Sequence, residues 1–555
     1  MMLNTAMPEA GSDGRARTLA LTKLRRADAT AAAVVEFISK GRCLVIGPEA
    51  EALDLVRQLH GQLDCTVAVP GDEAPDVDRV DGTFVVRGGR PLLRGALGDF
   101  EVKLLAGGLQ LALGAMLSPA VDRFDLVVDL GATPLLPQAM KPLGYYLPGP
   151  DAESRAVLAK VLPEMRGEFE KPRYINYNPE ICAHGRSGKQ ACTRCIDFCP
   201  AEAIVSIGDK VQVNPYLCQG GGTCTTACPS GAMTYAYPMA GDLLHALRDL
   251  LREYRQAGGT APSLLFHDDA SGATLEQELA RGMPERVLPV AVEEIGSTGM
   301  DVWLSCLAYG AEAVVLLTCD LTPPQVLEAL QEQVTIAQAI LAGMGYAEGR
   351  LRLVNGDQPA AAQRALAALP GDQVRHVATF AAPPADKRGT LRLALAHLQA
   401  HAPAPKRVTP LPAGAPFGEV RVDAAACTLC MSCVSACPTF ALQDGRGLPQ
   451  LNFREWSCVQ CGLCVRTCPE DALALSPRLL NDIEARERPR ILHEEQPVCC
   501  VGCGKPFATR SILDKLTRKL EGHWMFQTEE ARRRLQMCED CRVRDMFAAE
   551  ARRGK

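Results

Sequence analysis

The sequence predicts a multidomain protein of mixed α/β and α+β class, built from two small cysteine-rich modules, two α/β domains and a helical tail. Three observations predict it. The string Cys-Pro-x-x-Ala-aliphatic occurs four times, at 199–204, 228–233, 437–442 and 468–473, and each copy closes a cluster of cysteines. Short apolar runs alternate with helix-length segments over 43–130 and again over 263–344, the rhythm of βαβ units. Two C-x2-C pairs, Cys500 with Cys503 and Cys538 with Cys541, stand close to the end of the chain. A length of 555 residues suits about three to five domains.

The expected boundaries are 1–40 for a flexible N-terminal extension, 41–170 for the first α/β domain and 171–240 for the first cysteine module. The second α/β domain is expected over 241–400, a proline-rich linker over 401–418, the second cysteine module over 419–480 and the tail over 481–555. In the extension, Arg25 and Arg26 precede an apolar run in the manner of a twin-arginine export signal. The run is short and interrupted by Glu36, so no signal is assigned. In the first α/β domain, 43–46, 66–69 and 125–130 read as buried strands and 49–59 as a helix. Gly47 alone follows the first strand, with no dinucleotide fingerprint and no P-loop. Cys43 and Cys65 read as small buried hydrophobes.

Two of the four cysteine motifs carry the complete spacing C-x2-C-x2-C-x3-C-P, which suits thiolate ligation of cubane iron–sulfur clusters. Three thiolates on a looping backbone reach three corners of one cube, and the fourth, opening a helical turn, points to a second. Proline after it lacks an amide hydrogen and fits the first helical position. With CTLCMSCVSACP and CVQCGLCVRTCP, residues 419–476 resemble a bacterial two-cluster [4Fe-4S] ferredoxin. The resemblance implies one cluster on Cys427, Cys430, Cys433 and Cys468, and another on Cys458, Cys461, Cys464 and Cys437.

The first module is a ferredoxin-like dicluster module with two departures. In CAHGRSGKQACTRCIDFCP, nine residues separate Cys182 from Cys192, a seven-residue insertion relative to the usual two. In CQGGGTCTTACP, Gly221 stands where the second cysteine belongs. The crossed rule assigns one cluster to Cys182, Cys192, Cys195 and Cys228, and leaves Cys199, Cys218 and Cys224 for the other. The second site resembles that of seven-iron ferredoxins and implies a [3Fe-4S] cluster. A [4Fe-4S] cluster whose open iron carries water, a substrate or another residue, such as His184, is the alternative.

In the second α/β domain, 263–266, 287–292 and 313–317 read as strands, and 300–309 and 325–344 as helices. The stretch VEEIGSTGMDVWLSCLAYGAEAVVLLTC resembles the delta subunit of methyl-viologen-reducing hydrogenase, which implies a small domain docking electron carriers. The [2Fe-2S] cysteines of that family are not reproduced: His267, Asp268 and Asp269 follow the first strand, and 294–296 lack the expected cysteine. Cys306 and Cys319 alone remain, so a docking scaffold is expected rather than a cluster. Five prolines, Pro403, Pro405, Pro410, Pro412 and Pro416, predict an extended, semi-rigid linker.

In the tail, Cys500, Cys503, Cys538 and Cys541 form two pairs separated by 34 residues, with a helix expected over 511–520 and Cys499 spare. The C-x2-C-G turn and the lack of a following proline favour structural zinc, as in zinc ribbons, over a further iron–sulfur cluster.

Composition excludes several classes. Twenty-four cysteines grouped at metal-ligand spacing suit a reducing cytoplasm rather than a disulfide framework. A net charge of −6 without a concentrated basic face gives no affinity for nucleic acid, and no apolar run is long enough to span a membrane. Flavin, nicotinamide and nucleophile signatures are absent, so no catalytic site is assigned. The leading expectation is an iron–sulfur electron-transfer protein or subunit, with three or four [4Fe-4S] clusters, serving a partner oxidoreductase such as a formate dehydrogenase or hydrogenase-type complex. An assembly factor for such a metalloenzyme, and an enzyme binding substrate at the open iron of the Gly221 site, are the other readings.

Overall fold

The computed structural model describes residues 11–24, 33–371, 376–383 and 386–553. Arg25 and Arg26 of the export-like motif lie outside them. The first α/β domain holds a six-stranded sheet in the order Tyr145–Tyr146, Leu126–Asp129, Arg42–Ile46, Asp64–Val69, Thr83–Arg87, Asp76–Val80. Neighbours run parallel except the last pair. Cys43 and Val45 enter one core with the helix Glu49–Leu59, and Leu44 and Ile46 enter the other with Phe100 and Phe124. Burial on both faces is why this strand reads as an unbroken apolar run.

The middle domain is a four-stranded parallel sheet, ordered Val287–Ala291, Ser263–His267, Ala313–Thr318, Leu351–Asn355. Its helices include Met300–Ala308 and Pro324–Gly343, within a residue or so of expectation. Cys306 is wholly buried in this core, and the Cys319 thiol donates to the carbonyl of Ala270 at 3.4 Å.

Two segments differ from expectation. Within 1–40, Ser12–Lys23 is a helix rather than a flexible extension. Ala16 and Ala20, one turn apart, let it lie close against the middle-domain core, and Arg17 donates to the carbonyls of Pro284 and Val287. Val34–Ser39 then pairs antiparallel with Gly167–Pro172. The proline-rich stretch is extended but not free. Val408–Pro410 pairs with Leu473–Leu480, and Leu411, Ala415 and Phe417 fill the middle-domain core, because the residues between the prolines are apolar.

The two cysteine modules share a plan. In the later one, Gly418–Val422 pairs with Leu473–Leu480, and a hairpin of Leu442–Gly445 and Leu448–Phe453 separates two one-turn helices, Ser432–Ala436 and Leu463–Thr467. In the earlier one, Ile175–Tyr177 pairs with Met233–Tyr235. The hairpin Ile204–Ile207 and Lys210–Val213 separates Arg194–Asp197 from Thr223–Ala227. The extra residues after Cys182 form a small hairpin of their own, Gly185–Arg186 with Lys189–Gln190. In the tail, a hairpin of Pro497–Cys499 and Pro506–Thr509 leads to helices Arg510–Leu520, Glu529–Leu535 and Glu539–Arg553.

Candidate metal centres

The Cys-Pro-x-x-Ala repeat has a backbone meaning. Three residues after each of its cysteines the chain turns left-handed, at Glu202 (φ 49°), Gly231 (φ 77°), Phe440 (φ 54°) and Asp471 (φ 50°). The turn aims the next amide, that of the alanine, back at the sulfur. Ala203 N–H donates to Cys199 Sγ at 3.3 Å, Ala441 to Cys437 at 3.2 Å and Ala472 to Cys468 at 3.4 Å. In the remaining copy the Ser230 hydroxyl lies 3.7 Å from Cys228 Sγ. Such donors stabilise a thiolate and tune whatever metal it holds. Sequence reading missed this amide, although the fixed four-residue offset from cysteine to alanine was the signal.

The other half is equally regular in three of the four motifs, the exception being the stretched one, where Thr193 beside Cys192 has φ −119°. Cys430 is flanked by left-handed Leu429 (φ 55°) and Met431 (φ 60°), and Cys461 by Gln460 (φ 53°) and Gly462 (φ 84°). Gly221 is flanked in the same way, by Gly220 (φ 82°) and Gly222 (φ 72°). The loop therefore keeps the shape that carries the second cysteine elsewhere, with the side chain deleted.

The folded chain gathers the thiols into four groups. Burial, and then the charges of Cys427, Cys430 and Cys468, pushes the Cys433 thiol up to about 12. Burial also raises Cys464, helped by Cys458, Cys461 and Cys437. Cys195 is raised by burial and then by Cys228, Cys192 and Cys182. Cys224 is raised by burial and then by Cys199 and Cys218. In each group one thiol comes from the other motif of the same module. Buried thiols that repel one another do not ionise together without a cation among them, and iron fits that donor set. Cys427, Cys430, Cys433 and Cys468 line one common pocket with Leu429, Leu451 and Leu473.

Helix Ser432–Ala436 packs on Leu463–Thr467 in the later module, Arg194–Asp197 on Thr223–Ala227 in the earlier one, and Leu463–Thr467 on Lys189–Gln190 between them. Cys433 adds to the repulsion on Cys464 within the later module, and Cys195 and Cys228 add to that on Cys224 within the earlier one. Between modules, burial pushes the Cys461 thiol up to about 12, with contributions from Cys458, Cys437 and, from the other module, Cys192. Arg466 donates to the carbonyl of Gln190 at 2.7 Å and Arg186 to that of Cys437 at 3.3 Å, closing the junction.

His184 stands at the inserted hairpin and not at the Gly221 site. Its Nδ1 lies 2.8 Å from the carbonyl oxygen of Cys192 and its Nε2 2.8 Å from Ser206 Oγ, so both ring nitrogens are engaged. Its work is to brace the insertion. Lysines brace the loops that bear thiols: Lys387 Nζ donates to the carbonyls of Thr225, Thr226 and Cys228, and Lys171 Nζ to those of Tyr216 and Cys218.

In the tail, the sulfurs of Cys500, Cys503, Cys538 and Cys541 all lie within 4.8 Å of one another. The first two come from the hairpin loop and the last two from the start of the helix Glu539–Arg553. Cys503 Sγ and Cys538 Sγ are 3.7 Å apart, and Cys500 Sγ accepts from the amides of Gly502 (3.3 Å) and Cys538 (3.2 Å). Burial opposes ionisation of Cys500, but these amides outweigh it and bring the thiol down to about 6. A side chain at Gly502 would meet Cys541 Sγ at 3.2 Å, which accounts for glycine there. Cys499 is exposed and outside the group.

A family model described as a 4Fe-4S dicluster domain matches residues 426–473. That segment is a 4Fe-4S dicluster domain, and with the other grouped cysteines it points to an iron–sulfur electron-transfer role. No curated protein matches the chain. Among the described residues no helix is long and apolar enough to cross a membrane.

Proposed function

We propose that the chain relays single electrons along a row of four iron–sulfur clusters, to or from a partner oxidoreductase in a reducing cytoplasm. The order is Cys427/Cys430/Cys433/Cys468, then Cys437/Cys458/Cys461/Cys464, then Cys182/Cys192/Cys195/Cys228, then Cys199/Cys218/Cys224. The first three hold [4Fe-4S] clusters, and the last holds either a [3Fe-4S] cluster or a cubane with a non-cysteine ligand. The observation that carries this reading is the junction of the two modules, where Arg466, between Cys464 and Cys468, donates to the carbonyl of Gln190 and Arg186 donates to that of Cys437. Two isolated ferredoxin units would have no reason to meet at their metal-binding loops.

Zinc is the proposed occupant of the tail. Four sulfurs around a tetrahedral zinc with Zn–S bonds of about 2.3 Å stand about 3.8 Å apart. The Cys503–Cys538 separation of 3.7 Å agrees. Cubane thiolates stand further apart because each sits outside a different iron. The tail packs beside the first cluster site, with Thr509 Oγ1 donating to the Thr428 carbonyl and Lys515 paired with Glu470, and this surface suits partner docking.

Anaerobic reconstitution with metal analysis and EPR of the dithionite-reduced protein tests both parts. About fifteen or sixteen irons and about one zinc per chain are expected, with lines broadened by coupling between neighbouring reduced clusters. About eight irons, all lost on deleting 419–480, would restrict the chemistry to the later module. Co-purification only with an immature enzyme would favour the assembly-factor reading.

A further inference from the structure

The position of the missing cysteine is filled from another domain. Gly221 has no left-handed φ, so its backbone does not demand glycine, and it is buried. A Cβ placed on it would lie 3.0 Å from Met140 Sδ and 3.4 Å from Pro200 Cγ. Space for a side chain at 221 is therefore taken by the thioether of a residue in the first α/β domain.

Met140 is held there by two bonds to the turn after Cys199, itself one of the three remaining cysteines. Its amide donates to the Pro200 carbonyl at 3.0 Å, and Gln138 Nε2 donates to Glu202 Oε2 at 3.1 Å. Lys141 Nζ ties the same loop together through the carbonyls of Leu136 and Gln138, both at 2.6 Å. The loop around Ser297 closes over the next residue, Gly222, whose added Cβ would meet Ser297 Cβ at 2.7 Å. The corner is thus enclosed, which opposes entry of a substrate.

We propose that Met140 Sδ is the fourth protein ligand at the site of Cys199, Cys218 and Cys224, so that this site holds a four-iron cluster. The inference rests on the reading of those three cysteines as a cluster site. A thioether is soft and polarisable, which suits iron in a sulfur-rich cluster, and it is neutral where a cysteinate is anionic. A cluster with three thiolates and one thioether carries one less negative charge than its neighbours, so it accepts an electron more readily. The row would then end in an electron sink beside the first α/β domain.

The test is EPR and iron analysis of the anaerobically isolated full chain and its variants, before and after mild oxidation. Wild type is expected to show no [3Fe-4S] signal as isolated. Met140→Leu, which keeps side-chain volume, is expected to give about one [3Fe-4S] spin per chain and to lose about one iron. Adding Gly221→Cys to Met140→Leu restores a thiolate in register with Cys430 and Cys461, and is expected to recover the iron and abolish the signal. A full [3Fe-4S] signal in wild type, or a Met140→Leu protein with unchanged iron and spectrum, overturns the ligand assignment. Cys224→Ser separates the two levels: if it removes no iron, the cluster reading of this site fails, whereas loss of that cluster with an indifferent Met140→Leu overturns only the role of Met140. Signals of the clusters in 426–473 report that each variant has folded.

Discussion

Gln460 donates from Nε2 to the Cys458 sulfur at 3.3 Å, while its own backbone stands left-handed at φ 53°. The same place in the preceding motif is taken by Leu429 at φ 55°, which brings no donor. Gln460→Leu is therefore a substitution whose backbone the chain already tolerates, and it removes one hydrogen bond to sulfur. Reduction adds negative charge to a cluster, so a donor to its thiolate favours the reduced state. A bond worth about 1 kcal/mol corresponds to about 40 mV for one electron. The variant is expected to lower the potential of one cluster by about that much, with the others unmoved, in an EPR-monitored redox titration. An unshifted set of potentials would show that this contact does not tune the cluster. The bond from Gln460 to the carbonyl of Glu419 (3.2 Å) is lost as well, at a modest cost in stability.

At the level of elements, the turn Ile295–Ser297 of the middle domain presses on the loop that bears Gly221 and Gly222. Glu294 precedes it, and burial, followed by the charges of Asp268, Glu293 and Asp269, pushes its carboxyl from the ordinary 4.5 up to about 7. A carboxyl raised on folding is favoured in its protonated form. The native state thus loses stability as pH rises from about 4.5 to about 7, and carries the full penalty above that range. The shift corresponds to at most about 3 kcal/mol, and partial solvation reduces this to about 1–2 kcal/mol. Glu294→Gln is expected to melt with wild type at pH 4.5 and about 2–4 °C above it at pH 8 in parallel thermal scans. Equal melting temperatures at both pH values would locate the strain elsewhere. Elements were legible from sequence where the signal was local. The helix Glu49–Leu59 matches expectation because an apolar face and a leading proline mark it, and the dicluster domain at 426–473 was legible because its cysteine spacing is complete. The helix Ser12–Lys23 was not legible, because its buried face is Ala16 and Ala20 rather than large apolar residues. Nor was the burial of Phe417, since proline spacing gives extension but not destination. Met140 against Gly221 and Arg466 on the Gln190 carbonyl are contacts across long sequence separations, which no local pattern records.

Across the whole molecule, the cysteine modules are separated by the complete middle domain in sequence yet meet at their cysteine-bearing loops. The middle domain acts as a frame. Lys387 grips the loop of Cys228 from its helix Lys387–Ala400, and the adjacent Arg388 lies over Phe417 and Trp456, beside the later module, at 4.8 and 5.0 Å. One helix therefore sets the distance between the two modules, with Arg194 paired to Glu332 at 2.7 Å adding a second strut. The junction itself is held by two arginines donating to carbonyls, Arg466 to Gln190 and Arg186 to Cys437. Replacing both by glutamate removes the donors and sets an acid against each carbonyl oxygen, while leaving every cysteine in place. Iron content is expected to stay at the wild-type level, since neither arginine belongs to a thiol group. The spectrum of the fully reduced double variant is expected to lose the broadening assigned to Cys461 and Cys192 sites and to approach the sum of two separate modules. The Arg388 strut is untouched, so the loss is a local loosening and not separation of domains. Unchanged broadening would mean that the frame alone fixes the junction, and the double variant combined with Arg388→Ala would then have to sharpen the lines.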